Sequence, residues 1–189
     1  LIDAGQDPHT YSATPEDRRA IEEADLVLYG GYDFEPAIIQ MVEATDTATP
    51  KVAISEVTVA EPLLGEAHHH GHSEGEKHAE GEEHEDHEDH EDHAEHEEHA
   101  EHAEGELEPD PHVWHDAENG VAMVEEIQRQ LSGVSPENAA LYETNATALI
   151  AGLEELDTWI QTQIDTVPAT GRTLISTHDA LGYYASAYG

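Results

Sequence analysis

Residues 14–54, TPEDRRAIEEADLVLYGGYDFEPAIIQMVEATDTATPKVAI, decide the fold of this chain. Thr14 and Pro15, followed by two acidic residues, predict a helix start: an N-cap threonine, proline at the first helical position and acids in the first turn. Two short apolar runs, 26–29 and 52–54, each follow a helical segment. Because these runs are continuously apolar and do not alternate, they predict buried parallel strands in an α/β sheet.

The rest of the chain extends this order of elements. Residues 117–131 predict an amphipathic helix, and from Ser135 apolar residues recur at helical spacing as far as Val167. A helix of about 30 residues would be ~45 Å long at a rise of about 1.5 Å per residue, which suits a rigid connection between two lobes. Residues 173–176 then predict a strand and residues 180–188 a helix, as at the start of a second α/β unit.

We therefore predict an α/β protein in which two lobes, each with a parallel sheet, are joined by a long rigid helix. The predicted boundaries are a partial N-terminal lobe at 1–133, the linking helix at 134–168 and the start of a C-terminal lobe at 169–189. The chain begins without methionine, inside sequence that already has a structured pattern, and it stops directly after a helical stretch. We interpret it as a fragment of a longer protein.

A low-complexity segment at 66–107 interrupts the N-terminal lobe. Residues 68–102 hold twelve of the sixteen histidines, and from His84 one histidine recurs at every third position. Because no large apolar residue precedes Leu107, we predict a disordered surface insertion. Its composition favours divalent metal; the alternative is a solubilising acidic linker. The possible accessory metal ligands are His68, His69, His70, His72, His84, His87, His90, His93, His96, His99, His102 and, outside the insertion, His115.

The chain is strongly acidic, with 44 Asp and Glu against 6 Lys and Arg and a net charge of −38. Residues 66–108 hold 19 of the acids and one lysine, which leaves 25 acids and 5 basic residues elsewhere. Such a surface would repel nucleic acid and anionic membranes. High salt would screen its self-repulsion, so we predict a halophilic source; an ordinary acidic secreted protein is the alternative. Without cysteine, any metal site must use imidazole and carboxylate.

Three short patterns contain the remaining candidate ligands. Asp7-Pro8-His9 and Asp110-Pro111-His112 repeat one tripeptide, whose proline stiffens the loop and pre-aims the imidazole. The two aspartates are candidates to orient the rings as hydrogen-bond acceptors or to cap the following loops. His178 follows a predicted strand, at the edge where ligands gather in parallel sheets. Any one of these histidines alone is more often solvated, but together they would form a three-nitrogen metal site with one open position.

Taken in order, these blocks resemble the zinc-type metal-binding lipoproteins that serve as substrate-binding components of ABC transporters, the ZnuA/TroA-like family. The blocks are DPHTY at 7–11, TPEDRRAIEEADLVLYGG at 14–31, the insertion at 66–107, DPHVW at 110–114, the long helix from Ser135 and STHDALGYYASAYG at 176–189. The resemblance implies two α/β lobes with metal in the cleft, bound by His9 and His112 from the first lobe and His178 from the second.

The resemblance also implies the cargo and the partners. Manganese-type relatives carry Glu at the third ligand position, so His178 implies Zn²⁺, with Mn²⁺ or Fe²⁺ as alternatives. A fourth ligand would lie beyond Gly189. The implied partner is an ABC permease, and the implied location is the cell surface or a periplasm-like space. We expect a monomer that contacts the membrane only through a lipid anchor outside these residues.

Two hypotheses from other classes remain. Three histidines with an open position also describe a catalytic zinc, as in a zinc hydrolase. Against an enzyme, the sequence contains no HExxH motif and no carboxylate persuasively placed as a general base. The other of these two hypotheses is a metal-buffering or adhesion protein of the cell surface whose insertion at 66–107 is the functional part.

Overall fold

A computed structural model describes residues 1–66 and 107–189 of the chain. The predicted disorder of residues 67–106 and the accessory histidines from His68 to His102 therefore fall outside the described residues. The end residues of the predicted insertion, Glu66 and Leu107, were wrongly predicted to be disordered, because they pair in two short strands. Within these two ranges, no helix combines the length and the apolar character that crossing a membrane requires.

The first helix, α1 (Pro15–Glu23), begins where the sequence predicts. The Thr14 hydroxyl accepts a hydrogen bond from the backbone N–H of Asp17, whose carboxylate accepts in turn from the backbone N–H of Thr14 at 2.8 Å. This reciprocal capping box satisfies two donors that the helix end would otherwise leave without partners. The helix thereby starts at a fixed residue and turns Ile21, which is 2% exposed, towards the core.

Two parallel strands follow, β1 (Val27–Tyr29) and β2 (Lys51–Ala53), with helix α2 (Pro36–Ala44) between them in the chain. Val27 pairs with Lys51 and Tyr29 with Ala53, which confirms the predicted parallel pairing. Ile54, predicted in the second strand, instead begins the short helix α3 (Ile54–Thr58). The helices close on the sheet through a buried apolar cluster of Ile21, Val27, Ile38 and Val42.

An antiparallel stem holds the two ends of the insertion together. Strand β3 (Leu64–Glu66) pairs with β4 (Leu107–Pro109), so that Leu64 lies opposite Pro109 and Glu66 opposite Leu107. Below the stem, the backbone N–H of Asp110 donates to the carbonyl of Leu63 at 2.8 Å. The stem therefore delivers the chain directly into the second DPH tripeptide.

Two long helices pack side by side after the stem. Helix α4 (Ala117–Val134) is capped by Asp116, whose carboxylate accepts from the backbone N–H of Glu118 at 2.9 Å. A short 3₁₀ turn leads into α5 (Ala139–Ile164), and its 26 residues make a helix of about 39 Å. The long helix of the prediction is confirmed, although it is shorter than predicted. That it links two lobes stays a prediction.

The end of the chain differs from its prediction in one element. Residues 173–176 form no strand, and the side chains of Leu174 and Ile175 are 72% and 92% exposed. A strand requires hydrogen bonds from a neighbouring strand, and the described residues place none beside this segment. The following helix, α6 (Gly182–Tyr188), confirms the helix predicted there.

Candidate metal centre

The first DPH tripeptide folds as a 3₁₀ turn, Pro8–Thr10. One carboxylate oxygen of Asp7 accepts from the backbone N–H of His9 at 3.0 Å, and the other accepts from the Thr10 hydroxyl at 3.2 Å. Pro8 occupies the first position of the turn, where a missing N–H costs nothing. Asp7 therefore caps the turn that presents His9, and these two bonds do not involve the ring.

The second tripeptide uses its aspartate differently. Asp110 Oδ1 accepts both the backbone N–H of His112, at 2.9 Å, and the ring Nδ1, at 2.7 Å. A carboxylate can only accept, so the proton of the neutral ring lies on Nδ1 and the lone pair on Nε2. His112 is 2% exposed, and burial together with the Asp110 bonds holds its ring in one orientation.

The third histidine approaches from the far end of the chain. His178 lies in the loop before α6, and its carbonyl accepts from the Ser176 hydroxyl at 2.7 Å and from the backbone N–H of Ala180 at 3.0 Å. His178 is exposed, whereas His112 is buried. The loop therefore holds the His178 backbone while one side of the ring stays open to solvent.

The three imidazoles converge on one point. The Nε2 of His112 is 3.3 Å from the Nε2 of His9 and 3.2 Å from the Nε2 of His178. One ligand nitrogen from each ring lies within 4.8 Å of the other two, the one such group among the described residues. A tetrahedral zinc ion with Zn–N bonds of about 2.0–2.1 Å would place its nitrogens roughly 3.3–3.4 Å apart. The spacing of the nitrogens therefore fits a shared cation.

Aromatic rings cover one side of the three histidines. The Phe34 ring lies edge-on to His9, with centroids 5.1 Å apart, and Trp114 lies 4.7 Å from Phe34 and 5.5 Å from His112. These contacts restrict how the imidazoles can turn. Phe34 was missed by the sequence analysis, although it is the one phenylalanine of the chain and follows β1 at the carboxyl edge of the sheet.

His115 lies beside the centre and outside the group of three. Its ring centroid is 6.5 Å from that of His112 and 5.7 Å from that of Trp114. Burial lowers the pKa of His115, and the nearby His112 ring lowers it further. That His115 serves as an accessory ligand stays a prediction.

Glu35, the neighbour of Phe34, is a buried acid. Its residue is 7% exposed, and its Oε1 accepts from the backbone N–H of Gly30 at 2.6 Å. Its Oε2 has no hydrogen-bond partner among the described residues. Burial raises the pKa of Glu35, and the negative charge of Asp33 raises it further. Glu35 thus ties the end of β1 to the start of α2, behind the aromatic cover of the centre.

A family model matches the whole of residues 1–189. Its description is "ZnuA: Zinc-uptake complex component A periplasmic". The High-affinity zinc uptake system protein ZnuA of Paracoccus denitrificans is 38% identical over 192 residues, with 100% of this chain and 56% of that protein covered. The Manganese-binding lipoprotein MntA of Halalkalibacterium halodurans is 28% identical over 189 residues, with 100% and 49% covered.

The fold also matches a solved structure. The periplasmic zinc binding protein TroA from Treponema pallidum aligns with a TM-score of 0.70 and 26% identity, over 98% of this chain and 53% of that one. The predicted α/β class is thereby confirmed. The chain spans about half the length of the curated relatives it matches, and their names specify both zinc and manganese.

Proposed function

The chain belongs to the family of periplasmic ZnuA components of zinc-uptake complexes, and on that basis we propose that it captures Zn²⁺ and delivers it to an ABC permease. His9, His112 and His178 would bind the ion through Nε2. The observation that carries this proposal is the convergence of the three ligand nitrogens within 4.8 Å of one another. The protein would act as a binding component and not as an enzyme.

The choice of zinc rests on the ligand atoms. Neutral imidazole nitrogen suits Zn²⁺ better than Mn²⁺, for which oxygen ligands are the usual choice. The spacing of about 3.3 Å between tetrahedral nitrogens also matches the distances around His112 Nε2. Mn²⁺ and Fe²⁺ are the alternative cargoes, and the name of the MntA relative supports keeping manganese among them.

The two aspartates would have separate roles around the ion. Asp110 would keep the Nδ1 proton of His112 in place, which leaves Nε2 as the ligand atom and raises its basicity. Asp7 would hold the turn that presents His9. Because imidazole binds metal only when its ligand nitrogen is deprotonated, capture should weaken as the pH falls through the histidine range.

The proposed setting is the outer face of a membrane. The relative from Halalkalibacterium halodurans is named a lipoprotein, which supports a lipid anchor and a cell-surface or periplasm-like location. The net charge of −38 would keep a monomeric body away from anionic lipid and nucleic acid, so that only the anchor contacts the membrane. The histidines of the insertion would raise the local metal concentration, and high salt would screen the acidic surface.

A competitive zinc titration of the complete protein, in high salt, tests the proposal. Residues 67–106 would be replaced by a two-residue Asn-Gly turn that joins the strands of the stem. We expect one tight zinc site that survives this replacement and weakens at least 100-fold in His178→Ala, because a lost ligand leaves two imidazoles. Glu155→Ala, at an exposed acid of α5, is the control and should bind within a few-fold of the parent protein. Parallel titrations with Mn²⁺ and Fe²⁺ rank the cargoes.

Three results would reject parts of the proposal. Weak, multiple binding that disappears with residues 67–106 would assign metal binding to the insertion and leave a metal buffer or adhesion protein. Tighter binding of Mn²⁺ than of Zn²⁺ would overturn the cargo. Zinc-dependent hydrolysis of ester or peptide substrates, lost in His178→Ala, would favour the hydrolase.

A further inference from the structure

We propose that Gly182 is a positioning residue of the metal centre. Its missing side chain makes room for the Asp110 carboxylate, which in turn aims the His112 ring. Gly182 also opens α6, the helix that follows His178. Gly182 would therefore determine how closely the segment that carries His178 packs against the segment that carries His112. This inference rests on the proposed metal function of the three histidines.

Space, and not backbone conformation, requires glycine at this position. A Cβ built on Gly182 would lie 2.9 Å from Asp110 Oδ2, closer than side-chain carbons in proteins approach other atoms. Among the glycines that the structure describes, Gly5, Gly31 and Gly189 have positive φ and Gly182 does not, so the Gly182 backbone is one that alanine can adopt. A methyl group at 182 would consequently act on its neighbour Asp110 and not on its own helix.

The Asp110 side chain has little freedom to turn away from such a methyl group. Its other oxygen, Oδ1, is held by the backbone N–H of His112 at 2.9 Å and by Nδ1 of the same ring at 2.7 Å. Its own backbone N–H is bonded to Leu63 at 2.8 Å. A shift of Oδ2 must rotate the carboxylate, and this rotation would disturb the bond that orients the His112 ring.

Helix α6 has little freedom to withdraw either. The Tyr183 hydroxyl accepts from the backbone N–H of Leu63 at 3.0 Å. At the other end of the helix, the Tyr188 hydroxyl accepts from the backbone N–H of Ala117 at 3.3 Å and donates to Asp157 at 2.9 Å. Both tyrosines are at most 5% exposed. The helix is thus anchored at Tyr183, next to the contact with Asp110, and again at its far end, so the carboxylate would yield first.

The test is Gly182→Ala in the complete protein. We expect a roughly 10-fold to 100-fold loss of zinc affinity in a competitive titration, the range typical when a group that orients a metal-binding histidine is disturbed. We also expect the ¹⁵N resonance of His112 Nδ1 to move in the metal-free protein, because its bond to Asp110 is altered. Gly152→Ala is the matched control: it is a helical glycine whose Cβ would meet nothing within 4 Å, and it should leave both readouts unchanged.

A double-mutant cycle separates positioning from general damage. On an Asp110→Ala background no Oδ2 faces the new methyl group, so adding Gly182→Ala should change zinc affinity by less than twofold. An equal loss on both backgrounds would overturn the proposal, as would wild-type affinity in Gly182→Ala alone. If Gly182→Ala alone does not fold, recovery of folding in the double variant supports the proposal and continued unfolding contradicts it.

The two proposals can fail separately. Absence of a tight zinc site in the wild-type protein would reject the metal function. The ¹⁵N resonance of His112 in the metal-free protein would still report whether Gly182 positions Asp110. A tight wild-type site that is indifferent to Gly182→Ala would reject the inference about Gly182 and leave the metal function standing.

Discussion

The His112 ring is the fixed member of the three imidazoles. It is 2% exposed, and its Nδ1 is bonded to Asp110 at 2.7 Å. The Nε2 atoms of His9 and His178 both lie within 3.3 Å of its Nε2, whereas His178 itself is exposed. The two identical tripeptides therefore differ in what the aspartate bonds. Asp110 accepts from the backbone and the ring of His112, whereas Asp7 accepts from the backbone of His9 and the hydroxyl of Thr10. Small movements of the His9 and His178 rings would therefore change their distances to a fixed His112 ring.

Glu35 offers a test of charge burial beside the centre. We expect Glu35→Gln to raise the free energy of unfolding at pH 7 by about 1 kcal/mol, because it removes a buried charge and keeps an oxygen that can accept from Gly30. Burial raises the pKa of the Glu35 carboxyl in the folded protein. Above that pKa, the buried charge therefore lowers the free energy of unfolding of the wild-type protein by its whole amount. This destabilisation disappears as the pH falls below the pKa of an ordinary glutamate.

Urea unfolding of both proteins between pH 3.5 and pH 8 measures this difference. The gap between wild type and Glu35→Gln should close as the medium becomes acidic. The exposed Glu61→Gln serves as the control for a simple loss of one surface charge. A gap that stays constant over the whole pH range would show that burial of the Glu35 charge is not its cause.

Among the elements, α6 is short but held at both ends. The Tyr183 hydroxyl is bonded to Leu63, next to the stem of the insertion, and the Tyr188 hydroxyl is bonded to Ala117 and Asp157 on the long helices. A seven-residue helix has little stability of its own, so these tertiary bonds decide whether it forms. The loop that carries His178 depends on them as well.

Tyr188→Phe tests this dependence. We expect a loss of about 1–2 kcal/mol in the free energy of unfolding, because the buried Ala117 N–H and the half-buried Asp157 carboxylate each lose a partner. Burial raises the pKa of Tyr188 to about 12, so the hydroxyl stays protonated at any pH used for the measurement. Urea unfolding gives the energy, and hydrogen exchange of α6 amides shows whether the loss is local.

Tyr184→Phe is the matched control for this change. The Tyr184 hydroxyl makes no hydrogen bond to the described residues, so its removal should cost under about 0.5 kcal/mol. Equal effects of the two substitutions would mean that the hydroxyl bonds of Tyr188 do not anchor the helix.

At the scale of elements, local signals were sufficient where the structure is locally determined. Thr14 and Pro15 predict the start of α1 because an N-cap and a proline at the first helical position act within one turn of sequence. The strand predicted at 173–176 was wrong because a strand depends on a neighbour that these four residues cannot specify. The stem formed by β3 and β4 escaped prediction for the same reason: Glu66 and Leu107 pair across forty intervening residues.

The whole molecule carries far more negative than positive charge. Arg18 with Glu22 and Arg129 with Glu126 form local ion pairs at the surface, and pairs of this kind contribute little. The convergence of His9, His112 and His178 agrees with the three-histidine site that the sequence predicts, and their role as metal ligands stays a prediction. The identity of the metal could not be predicted, since relatives named for zinc and for manganese both match the whole of this chain.

Salt should stabilise this molecule. We expect the thermal midpoint to rise by several degrees between about 0.1 M and 1 M KCl, because the Debye length falls from about 10 Å to about 3 Å and screens repulsion among the acids. The rise should persist after residues 67–106 are replaced by a short turn, since 25 acids face 5 basic residues outside 66–108. Calorimetry of both proteins measures it, and a midpoint independent of salt would contradict the expectation.

The stem has a consequence for how such a protein can change over generations. Because Glu66 and Leu107 leave the fold side by side, the segment between them can lengthen, shorten or alter its composition without displacing Leu63 or Asp110. The sequence of that segment can therefore vary in evolution while the orientation of the His112 ring stays the same. We expect homologues of this chain to differ most in the length and sequence of the segment between these two strands.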